Sequence, residues 1–103
     1  MSFGRITKKM MKEIQSIHTK NSNLLSVYGF GSFFRSGYAN DCDLLLVVNN
    51  SAPNLGKLHA DLSKEFLELG FKLSIDFDLT VLTEREHKCS PLREHDRLVL
   101  IVG

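Results

Sequence analysis

Apolar residues in this chain recur in two periods, one helical and one extended, and their succession lays out the order α-β-β-α-β-α-β. Phe3, Ile6, Met10, Ile14 and Ile17 step by three and four, the spacing of one buried helix face, until Asn21-Ser22-Asn23 breaks the pattern. Leu24 to Phe30 reads as a strand that stops at the tight sequence Gly29-Phe30-Gly31-Ser32. Cys42 to Val48 is nearly all apolar after Asp43, which predicts a central strand covered on both faces. Asn49-Asn50-Ser51 forms a turn, with Ser51 or a neighbour capping the next helix and Pro53 in its first turn. Leu55, Leu58, Leu62, Phe66 and Leu69 define that helix, and Gly70 suits its end. From Ile75 to Leu82 the pattern alternates, with Ile75, Phe77, Leu79 and Val81 on one face and Asp76, Asp78, Thr80 and Leu82 on the other. Thr83 and Glu86 have the spacing of a capping box, so a short helix starts there. Ser90-Pro91 interrupts it, and Leu98 to Val102 reads as a last strand. The expectation is a single α/β (α+β) domain over residues 1–103, a small mixed sheet with helices packed on it.

Composition narrows the class without naming a function. A chain of 103 residues with 43% apolar and 24% charged residues matches an ordinary soluble globular domain and not a disordered segment. Its core is small, which leaves room for a homo-oligomer or a permanent partner. Thirteen basic residues against 12 acidic give a net charge of +1, with no basic stripe to supply the phosphate attraction on which nucleic-acid binding depends. Lys8, Lys9 and Lys12 read as the solvated face of the first helix. No apolar run is long enough to cross a membrane, and the basic stretch Met1 to Met11 lacks the apolar segment of a signal peptide, so a cytoplasmic protein is expected. Cys42 and Cys89 fall in different elements without metal-ligand spacing and are expected to be reduced, buried thiols. His18, His59, His87 and His95 are scattered and are expected at the surface.

Three features carry chemistry. Gly31-Ser32 closes a strand, where glycine permits close backbone approach and serine offers a hydroxyl and an N–H to a phosphate oxygen. Arg35, three residues on, would supply a fork-shaped donor to a triphosphate. Asp41 and Asp43 sit two apart on a strand, so both carboxylates project from one face while Cys42 turns into the core. Such a pair repels until a divalent cation sits between its members. Asp78 is the third carboxylate, on the polar face of its own strand, with Asp76 competing for that position.

The stretches Val27 to Gly37 and Asn40 to Val48 together resemble the signature of the polymerase-β-like nucleotidyltransferase superfamily, which is a hydrophobic residue, Gly-Ser, a loop, and Asp-x-Asp flanked by apolar residues. The closest likeness is to its minimal nucleotidyltransferase branch. Phe77 to Glu86 resembles the later strand of that family and the turn after it, so the likeness by element order spans nearly the whole chain. The resemblance implies a nucleotidyltransferase fold. By that resemblance Gly31 and Ser32 would bind the nucleotide, and Asp41, Asp43 and Asp78 would be both metal ligands and catalytic residues; Arg35 joins the nucleotide-binding set on its own side-chain chemistry. The resemblance also implies a pair of magnesium ions, ATP as the substrate, and a HEPN-type toxin as the protein that accepts the nucleotide. One departure is the short connection, with only eight residues between Ser32 and Asp41. That departure motivates a second reading, a non-catalytic module that binds a nucleotide or a partner. A third is a small-molecule enzyme of the aminoglycoside-modifying kind that completes its pocket by dimerising.

Overall fold

The computed structural model describes residues 8–30, 41–89 and 98–103. Along the chain run α1 (Lys8–Lys20), β1 (Leu24–Phe30), β2 (Asp41–Val48), α2 (Leu55–Leu73), β3 (Asp76–Thr83), α3 (Glu84–Lys88) and β4 (Val99–Val102). The strands form one mixed sheet in the order β3-β2-β1-β4. β1 lies antiparallel to both β2 and β4, while β2 and β3 are parallel and joined through α2. The expected α+β architecture is therefore present, with three helices among the described residues.

One core explains the arrangement. Met10, Ile14 and Ile17 of α1 and Leu62, Phe66 and Leu69 of α2 pack on Cys42, Leu44, Leu46 and Val48 of β2. Phe3 and Ile6, assigned to the same helical stripe, lie outside the described residues. β2 is the central strand its composition predicts, with Leu44 to Val48 at most 2% exposed. Phe77, Leu79 and Val81 of β3 pack against the same core, which turns Asp76, Asp78, Thr80 and Leu82 to the opposite face. Lys8, Lys9 and Lys12 are exposed, as their helical position demands.

The limits of α2 differ from expectation at both ends. Asn54, not Ser51, is the N-cap, its side-chain oxygen accepting from the Lys57 N–H at 2.9 Å, so Pro53 precedes the helix. Ser51 instead donates its N–H to the side chain of Asn49 within the turn. Leu55 lies outside the core face and is 41% exposed. At the other end Gly70 does not terminate the helix, which continues to Leu73 and is closed by Ser74 in the left-handed region (φ 56°). Gly70 answers a different need. The chain folds back so tightly that a Cβ there would stand 2.5 Å from the Ile75 carbonyl oxygen, while the Ile75 N–H donates to the Gly70 carbonyl at 2.9 Å.

That contact decides the sign of a substitution. An exposed helical glycine gains about 1 kcal/mol on replacement by alanine. At Gly70 the added methyl meets backbone, and overpacking of this kind costs about 1–3 kcal/mol. Gly70→Ala is expected to lower the urea midpoint, and a raised midpoint would show that the turn into β3 yields freely.

Further corrections follow from tertiary contacts. Cys42 is buried as expected, but Cys89 at the end of α3 is exposed. Of the four histidines, His59 is exposed and His95 lies outside the described residues. His18 is half-buried, its Nε2 3.2 Å from the Leu25 carbonyl oxygen, a link from α1 to β1. His87 is half-buried against Tyr28. Polar ties also join the two long helices. Lys20 pairs with Glu65 at 2.9 Å and Lys72 with Glu13. The hydrogen bond from Lys72 holds the Glu13 carboxyl below its ordinary value. A depressed carboxyl strengthens this tie above the unfolded value and surrenders it as the pH falls through the folded one.

Candidate functional site

The apolar pattern of β2 settles which way its acids point. Cys42 and Leu44 enter the helix-covered core, so Asp41 and Asp43 project from the other face of the sheet. A slip of one residue would bury both carboxylates among the helices, a cost that pins the register. β3 is subject to the same constraint through Phe77 and Leu79. Its parallel register then pairs Asp41 with Asp76 and Asp43 with Asp78. Neighbouring strands lie about 4.8 Å apart and alternate residues about 6.6 Å apart along a strand. Four aspartates therefore occupy a small rectangle at one end of one face. Asp43 is half-buried, and Asp41, Asp76 and Asp78 are exposed.

β1 brings its C-terminal end to the same place, because Phe30 pairs with Asp43. Gly31, Ser32 and Arg35, the expected nucleotide-binding residues, lie outside the described residues. Their chain neighbour Phe30 is thus opposite the central acid of the group.

α3 closes the other end of this face. The capping box is formed as expected: the Thr83 hydroxyl accepts from the Glu86 N–H at 3.2 Å, and the Glu86 carboxylate accepts from the Thr83 N–H at 2.9 Å. The Arg85 N–H donates to the Asn50 side chain at 2.9 Å, anchoring the helix to the turn after β2. His87 thereby reaches Tyr28, with ring centroids 5.2 Å apart and planes inclined by 34°. Tyr28 pairs with Leu45, so the rings cover the middle of the face, next to the aspartates and not over them. Sequence reasoning missed this pair. The capping box was its one signal, since it sets α3 immediately after β3 and so limits where His87 can lie.

The chemistry available is that of clustered hard oxygen donors, suited to magnesium or calcium and ill suited to soft metals. Among the described residues no three His, Cys, Asp or Glu side chains converge closely enough to hold a metal ion. The aspartates are brought together by backbone register. Register also brings in Asp76, although the sequence pattern favours Asp78 as the third acid: Asp76 stands beside Asp41 as Asp78 stands beside Asp43. A groove of about 540 Å³ lies elsewhere, between α2 and the outer edge of β3, and only Asp76 of the four acids reaches its rim. No family model, curated protein or solved structure matches the chain.

Proposed function

We propose that this chain is a magnesium-dependent nucleotidyltransferase of the polymerase-β-like fold, of the minimal branch, that moves a nucleoside monophosphate, AMP from ATP, onto a hydroxyl of a protein acceptor. The observation that carries the reading is the parallel register of β2 and β3, which sets Asp43 beside Asp78 with Asp41 on the same face. The pairing of Phe30 with Asp43 supports it further, since Gly31-Ser32 follows directly in the chain.

In this reading Gly31, Ser32 and Arg35 hold the triphosphate, while Asp41, Asp43 and Asp78 hold the metal. Bound magnesium would neutralise the acids and the developing charge of the pyrophosphate. The acceptor oxygen forms a bond to the α-phosphorus as the bond to the bridging oxygen of the β-phosphate breaks, and pyrophosphate leaves. Asp78, at the exposed side of the group, draws away the proton of the acceptor hydroxyl. The acceptor in this reading is a protein partner, and a HEPN-type toxin in the cytoplasm fits this role.

A second reading, a module that binds nucleotide without turnover, is favoured by the eight residues between Ser32 and Asp41. Incubation with α-labelled ATP, magnesium and candidate acceptor proteins separates the two. The enzyme labels an acceptor and releases pyrophosphate, and chelation of magnesium stops both. Nucleotide binding without label on any acceptor would instead support the module, and the absence of binding would remove both readings.

A further inference from the structure

The outer edge of β3 is a feature that the proposed function leaves unused. β3 ends the sheet, and among the described residues no strand pairs with its outer side. Edge strands are ordinarily guarded by shortness, proline, charged side chains, lysine above all, or a bulge. At the opposite edge β4 is only four residues long. β3 has eight residues, with no proline, lysine or bulge in its pairing with β2, and its two charges, Asp76 and Asp78, fall in its first three residues, so Leu79 to Thr83 is an uncharged edge. Above this edge, α2 presents Ser63, Leu67 and Phe71 along one ridge, with Leu67 60% and Phe71 78% exposed. Among the described residues, a strand edge without a partner and an apolar ridge thus flank one groove.

We infer that this flank is a self-association surface, on which a second copy of the chain pairs its own β3 antiparallel to the first about a two-fold axis at Leu79. Charge selects that register. A two-fold perpendicular to the sheet places opposite each other two residues of the same face. Centring at Asp78 would set Asp78 against its own copy, and centring at Thr80 or Val81 would set an aspartate against Glu84. Centring at Leu79 sets Asp78 opposite Thr80 and Asp76 opposite Leu82, while Phe77 meets Val81 on the helix side.

The helices agree with the same axis. α2 runs back along β3, and Leu67 lies ~9 Å from its end at ~1.5 Å per residue, level with Leu79 at ~10 Å from the start of β3. Leu67 therefore meets its own copy at the axis, and each Phe71 falls over the small Ser63 of the other copy, a knob facing a gap. The flank is about 26 Å long and about 20 Å high, one sheet plus one helix. Its projection of roughly 500 Å², before side-chain relief is added, approaches the roughly 600 Å² per partner of the smaller specific interfaces. The result is an eight-stranded sheet with both groups of aspartates on one face.

Sedimentation of the full chain under reducing conditions, from micromolar to near-millimolar protein, tests the surface. The wild type is expected to pass from monomer to dimer mass. Leu67→Glu and Phe71→Glu, both at exposed positions, are expected to stay monomeric with unchanged circular dichroism. Leu100→Glu, an equivalent change on β4 where the leucine is 53% exposed, is expected to dimerise like the wild type. The register has its own signature. It brings the two Asp78 residues to diagonal positions about 7–8 Å apart along the strands, so Asp78→Asn is expected to tighten the dimer several-fold. A wild type that stays monomeric or forms only open-ended oligomers overturns the inference. So does a dimer indifferent to both α2 substitutions, broken by Leu100→Glu, or weakened by Asp78→Asn.

Discussion

Asp43→Asn is expected to reduce nucleotide transfer by roughly a thousandfold or more, equivalent to about 4 kcal/mol of transition-state stabilisation. Asp43 has the central position, paired with Asp78 across the strands and opposite the end of β1. Asparagine keeps its shape but removes the negative charge that would hold the metal. The same change separates a site role from a structural one. Four carboxylates at strand spacing repel one another, so neutralising one should leave the metal-free protein as stable as before or more so. The stabilisation given by magnesium with ATP, about 2.7 kcal/mol at a hundred times the dissociation constant, should largely vanish. A variant that melts far below wild type without metal would make Asp43 a structural residue and remove the assigned site. Asp76→Asn provides the comparison, since the reading gives Asp76 no ligand role and expects most of the transfer activity to survive.

Phe66→Ala is expected to cost about 3–5 kcal/mol of folding free energy. Phe66 is fully buried and meets the edge of the Phe77 ring at 5.7 Å, so α2 is fastened to β3 through it. A domain of this size has a total stability of only about 5–15 kcal/mol, so the variant retains a small margin and unfolds in part near physiological temperature. Urea titration followed by circular dichroism measures the loss as a fall in midpoint at an unchanged slope. A cost below about 1 kcal/mol would mean that Phe66 does not close the core. Phe77 lies between Asp76 and Asp78 in the chain, so loosening this contact also disturbs the strand that carries two of the four acids.

Local rules reached far along this chain. The limits of β1 follow directly from its apolar run, the central place of β2 from its lack of alternation, and α3 from a capping box of neighbouring residues. These features depend on side chains within one or two turns of each other. Gly70 was misread because a glycine after a helical stripe usually ends the helix, whereas here the carbonyl of Ile75 on the returning chain is what excludes a side chain. The same limit applies to His18, His87 and Cys89, whose burial depends on elements elsewhere in the chain. Leu55 fits the helical stripe yet lies beyond the part of α2 that the sheet covers.

The candidate site divides in the same way. That Asp41 and Asp43 share a face, and Asp76 and Asp78 another, was determined by the amino-acid order, because a strand reverses its side chains at every residue. That the two faces are one face, with Asp43 against Asp78 and Asp41 against Asp76, was decided by the tertiary structure. α2 separates the two strands in sequence, and only the burial of its apolar side against both sets their direction and register. Periodicity within a strand records where its side chains point, while the partner that a strand finds depends on a core assembled from the whole chain.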